Sequence, residues 1–183
     1  SLPYDIFVNK MHLDFNPAFA NLTAFDLMVG KSNMQMNGKV THYLEYAIKD
    51  EPLEGVLNFY SPSINVNDFM GSEEETPATA EASAPAANTD TSSSVVVLPS
   101  HVDFTLNAKI DQLTYDQAQF TAVGGTVQIK EGRAIMNNLG LNGLGGAVKL
   151  NGWYDGHEGT APAMDMNIDM NQVDIQTIRI HFD

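Results

Sequence analysis

Two stretches of this chain carry the same β pattern, and an acidic low-complexity insert lies between them. The first runs from Asn21 to Phe69, the second from about Leu139 to Ile178. Asn33-Met34-Gln35-Met36-Asn37-Gly38 opens the first, and Ile64-Asn65-Val66-Asn67-Asp68-Phe69 closes it. In the second, Ala147-Val148-Lys149-Leu150-Asn151-Gly152 and Val173-Asp174-Ile175-Gln176-Thr177-Ile178 take those places. Matched strand patterns at both ends of a unit predict repeated architecture in which each copy extends a shared sheet. A repeated sheet makes a long surface, and a long surface suits binding or scaffolding better than catalysis.

Period-two alternation supports the β reading elsewhere. Phe104, Leu106, Ala108 and Ile110 alternate with Thr105, Asn107 and Lys109, as in a half-buried strand. Met164, Met166, Ile168 and Met170 alternate with Asp165, Asn167, Asp169 and Asn171 just as strictly. Val127, Ile129, Val148, Leu150 and Tyr154 continue the theme. Turn signals stand at Gly124-Gly125, Glu131-Gly132, Asn142-Gly143, Gly145-Gly146 and Asp155-Gly156. Asn67 to Met70 and Asp111 to Ala118 could each hold about one helical turn. The expected fold is all-β: curved antiparallel sheets built from two related units, sandwich-like or groove-like.

Residues 71–99 break this pattern. Thr76 to Ala87 is small residues and proline with little to bury, so conformational entropy favours a flexible linker. The apolar run Val95-Val96-Val97-Leu98 at its end is expected to rejoin a sheet as a strand. The expected organisation is a β unit over 1–70, a flexible acidic insert over 71–99, and a second β unit over 100–183. The two units are expected to share one fold.

With 9 basic against 23 acidic residues, the chain has a net charge of −14. Such a surface repels phosphate backbones and disfavours nucleic acid. It equally disfavours adhesion to an anionic membrane by charge alone. The absence of cysteine removes disulfides, thiolate metal sites and cysteine nucleophiles. No run of about eighteen apolar residues occurs, and Ser1-Leu2-Pro3-Tyr4-Asp5 is unlike a signal peptide. The chain therefore reads as a piece of a longer protein, with any anchor or export signal outside it.

Candidate chemistry is thin. Asp165, Asn167, Asp169 and Asn171 share one strand face at about 6.8 Å spacing, too wide for neighbours to share a calcium ion unaided. The five histidines (His12, His42, His101, His157 and His181) stand apart, without a His-Glu-x-x-His motif. Asn142-Gly143-Leu144-Gly145-Gly146-Ala147 lacks the Lys-Ser/Thr of a phosphate loop and leads into a strand. No enzymatic activity, metal or cofactor is expected. Nine methionines are many for this length. Flexible, polarizable thioethers suit a surface that fits chains of variable shape, though they also fill ordinary sheet cores.

The cadence of Leu139 to Asp155, with Gly132 upstream, resembles the C-terminal region of AsmA-family proteins. Gly38 to Tyr46 and Ser61 to Phe69 look like another unit of the same kind. The resemblance covers most of the chain outside the insert and rests on cadence, not on catalytic motifs. It implies a periplasmic protein of Gram-negative bacteria, tethered to the inner membrane by a helix outside this segment. It also implies a part in outer-membrane biogenesis, with larger relatives proposed to carry phospholipid along an apolar β groove. The partners implied are phospholipid acyl chains or envelope proteins. The residues expected to line the groove are Met34, Met36, Met164, Met166, Ile168 and Met170. The alternative is a closed β-sandwich binding or scaffold module, with Trp153 and Tyr154 in a sugar or partner surface. Packing of the methionine row against a second sheet would discriminate the two.

Overall fold

The computed structural model describes residues 6–49, 51–69, 96–157 and 161–173. These form one open nine-stranded sheet whose strands lie in chain order. The strands are β1 (Ile6–Asn16), β2 (Phe19–Val29), β3 (Ser32–Thr41), β4 (Leu53–Asn65) and β5 (Val102–Tyr115). They continue with β6 (Ala118–Lys130), β7 (Arg133–Gly143), β8 (Gly146–Asp155) and β9 (Ala163–Asn171). A short helix, α1 (Tyr43–Lys49), joins β3 to β4, and a 3-10 turn at Val66–Asp68 follows β4.

Neighbouring strands are antiparallel except β4 and β5, which run parallel over twelve paired positions. The expected all-antiparallel arrangement is thus corrected at one place. A parallel pair needs a crossover of about a dozen residues or more, and residues 66–101 supply that length. Two meanders, β1–β4 and β5–β9, therefore meet at a parallel seam inside a single sheet. Among the described residues no second sheet packs on this one, so the two-layered sandwich is not the arrangement.

Tight turns follow from local chemistry. Glu131-Gly132 and Leu144-Gly145 each place two consecutive residues at positive φ between directly paired strand ends. That is the hairpin turn whose twist matches the strands, and glycine adopts its second position without a Cβ penalty. Gly55 serves a different need: a Cβ there would lie 2.6 Å from the Phe104 ring, which covers it from β5. Asp116 also sits at positive φ, in the β5–β6 turn. Asn67 holds it from outside, accepting from the Asp116 amide at 2.9 Å and donating to its carbonyl at 3.1 Å.

Several local expectations change. Asp111 to Ala118 is not helical; it is the end of β5, a two-residue turn and the start of β6. Gly124-Gly125 lies within β6, not in a turn, at a place where the β6–β7 register shifts. Val96-Val97-Leu98 does not form a strand, and Val95 lies outside the described residues. The run docks as a strap instead: Leu98 donates to the Gly156 carbonyl at 3.0 Å, and the Pro99 carbonyl accepts from Gly132 at 3.2 Å. Of the closing pattern of the second copy only Val173 is described, and it is outside any strand.

Candidate functional site: an open apolar sheet face

Side chains of paired residues project to the same side of a sheet, so the register sorts this chain into two faces. One face is apolar across the whole width. Leu13, Leu22, Gly38, Leu57, Leu106, Val127, Met136, Gly152 and Met166 form one row from β1 to β9. Phe15, Ala20, Val40, Gly55, Phe104, Ile129, Ala134, Tyr154 and Met164 form the next. At about 4.8 Å per strand, eight intervals make this face roughly 38 Å wide.

Among the described residues no other layer covers this face. Only Val29 and Ala118 are buried apolar residues among those described. Side chains of the inner strands are half-buried against neighbours on the same face, whereas those of the outer strands are open. Met164 is 68% exposed, Met166 40%, Ile168 51% and Met170 65%. The apolar side chains of β1 match them, with Met11 at 59% and Phe15 at 69%.

The six expected lining residues therefore share one face, in two separate groups. Met34 pairs with Leu27, and Met36 with Phe25 and Phe59, in the first meander. Met164, Met166, Ile168 and Met170 pair with Tyr154, Gly152, Leu150 and Val148 at the opposite edge. Five strands, β4 to β8, carry the face from one group to the other. The larger part of it is made of Leu, Val, Ile and Phe on β2 and β4–β7, which single-residue scrutiny of methionines passed over. Their strict alternation was the available signal.

Trp153 and Tyr154 do not form one surface. As consecutive strand residues they project to opposite sides. The Arg133 guanidinium lies over the Trp153 ring at 4.7 Å on the polar side. The Tyr154 hydroxyl donates to the Val96 carbonyl at 3.0 Å and holds the strap at one end of the apolar face. At the same end Tyr43 stacks on Phe15 at 5.5 Å and donates its hydroxyl proton to the Asn16 carbonyl.

The apolar face ends in polar groups at its other extremity. Ser32 and Ser61 are fully buried: Ser61 donates to the Asn33 carbonyl at 2.5 Å, and Ser32 accepts from the Asn65 amide at 3.0 Å. Buried Asp68 accepts from the Lys31 amide and from the Asn65 side chain. Ser32, Ser61 and Asp68 are thereby each paired, as a low-dielectric setting demands.

The reverse face is polar and knitted together. Asn58 donates to Asn37 at 2.9 Å, Asn107 to Asn58 at 3.0 Å, and Thr126 to Asn107 at 2.9 Å. This ladder crosses four strands, including the parallel seam. Ion pairs lie at its margins: Lys130 to Asp103 at 2.7 Å and Arg133 to Asp155 at 2.9 Å. His157 bonds the other oxygen of Asp155, and these two partners hold that carboxyl down to about 2. These side chains are spent on one another, mostly in cross-strand pairs. No helix among the described residues is long and apolar enough to cross a membrane. Comparison with known proteins finds no family model, no curated protein and no solved structure that matches this chain.

Proposed function

We propose that this chain is a non-enzymatic, AsmA-like segment of a periplasmic envelope protein, whose open sheet face contacts lipid acyl chains. In the full-length protein an inner-membrane tether lies outside this segment, and the work belongs to outer-membrane biogenesis. One observation carries the lipid reading: an apolar face continuous over nine strands has no covering layer among the described residues. Apolar patches beyond a few hundred Å² on a soluble protein mark interaction sites. Burying such area against hydrocarbon yields roughly 25 cal/mol per Å². Acyl chains fit because they ask for no hydrogen bonds, and the side chains of this face offer few.

Native mass spectrometry of the purified chain with phospholipid extract tests the reading. Bound phospholipid is expected on the wild type and on Asn167→Ala, and lost on Met166→Asp. Met166 and Asn167 are sequence neighbours on opposite faces of β9, so the pair separates face chemistry from strand damage. Equal loss in both, or no lipid on a folded wild type, would sink the proposal.

A further inference from the structure

The two edges of the sheet are built differently. β1 pairs with β2 through register shifts between Val8 and Lys10 and between His12 and Leu13. Bulges of this kind twist an edge away and blunt it against further pairing. β9 has none: all nine residues pair with β8 in unbroken register, from Asp155 with Ala163 to Ala147 with Asn171. It contains neither proline nor glycine, and every residue in it is exposed. A regular exposed edge presents a row of backbone donors and acceptors, which is a template for one more strand.

The side chains of β9 state what that strand must be. On one face stand Met164, Met166, Ile168 and Met170; on the other, Asp165 and Asp169 are the charged residues. Opposite charges directly across a strand pair stabilise it and like charges oppose it. Asp165 faces Trp153 on its inner side and Asp169 faces Lys149, so β8 sets a cation opposite Asp169 and none opposite Asp165. A second copy adding through its own β1 would bring a bulged edge to a regular one.

We propose that the outer edge of β9 accepts an extended strand of another polypeptide, apolar at alternate positions with Lys or Arg between. The added strand bonds along Ala163–Asn171, continues the apolar face by about 4.8 Å, and sets its cations beside Asp165 and Asp169. This assignment stands whether or not the face holds lipid.

The test uses the full chain and a fluorescent ten-residue peptide of alternating valine and lysine, with alternating valine and glutamate as control. Anisotropy reports affinity, and backbone hydrogen exchange reports place. The valine-lysine peptide is expected to bind and to slow exchange in β9 while leaving β1 unchanged. The double variant Asp165→Lys, Asp169→Lys is expected to weaken that peptide about tenfold and to favour the glutamate peptide. Asp165→Asn with Asp169→Asn is expected to give a smaller loss, and unchanged exchange in β4–β6 certifies that either variant is folded. Protection at β1 or away from any edge, no binding of the lysine peptide, or affinity indifferent to the charge reversal would each overturn the proposal.

Discussion

Asp155 shows what a single side chain on the polar face does. It closes the β8 end of the sheet, taking a hydrogen bond from His157 on one oxygen and from Arg133 on the other. His157 first and Arg133 second lower its carboxyl from 3.8 to about 2. A carboxyl whose folded value is depressed stabilises the fold above its unfolded value and loses that contribution as pH falls through the folded one. The window is therefore pH 4 down to about 2. The urea midpoint of the wild type is expected to fall across that window, and Asp155→Asn to fall less. Asp103, lowered chiefly by Lys130, keeps some slope in the variant. Identical slopes in the two proteins would show that the cluster does not form in solution. None of this clustering was legible in the sequence, where Arg133, Asp155 and His157 stand far apart or in an unremarkable loop. The register of β7 against β8, which sets Arg133 across from Asp155, is what joins them.

Among elements, legibility tracked alternation. β9 and the first part of β5 were readable because apolar and polar residues strictly interchange, and only a strand keeps such a pattern on one face. The Asp111–Ala118 hairpin was not, because Asp116-Gln117 lacks the glycine that marks a tight turn and cross-strand pairing decides the outcome. α1 escaped notice for the opposite reason: seven residues bury nothing, so no amphipathic stripe announces them. Bulges leave no composition signature, and the blunting of β1 could be seen only from pairing. The strap shows how an apolar run can be a poor strand and a good clamp. It is fixed by backbone bonds to Gly156 and Gly132 and by the Tyr154 hydroxyl. Tyr154→Phe removes one hydrogen bond of about 0.5–1.5 kcal/mol and keeps the ring. Faster exchange of the Leu98 amide is expected, with β8 unaltered. An unchanged Leu98 rate would mean that the glycine contacts alone hold the strap.

At the scale of the whole molecule, a single layer sets an unusual energetic problem. A chain of 183 residues can enclose a core between layers, yet here the apolar face has no opposing layer among the described residues. Stability then rests on strand pairing, on packing between neighbours along one face, and on the asparagine ladder behind it. Half-buried leucines and valines leave hydrophobic free energy unrealised, and any apolar ligand that covers them supplies it. Binding to the folded state alone raises stability as RT ln(1 + [L]/Kd), about 2.7 kcal/mol at a hundredfold excess over Kd. Phospholipid is therefore expected to raise the melting temperature by several degrees, in proportion to the logarithm of its concentration. Met166→Asp is expected to shrink that rise, because it sets a carboxylate in the face, and Asn167→Ala on the reverse side to preserve it. A melting temperature indifferent to lipid would mean that the face is satisfied in another way. An equal rise in both variants would place the lipid elsewhere on the molecule.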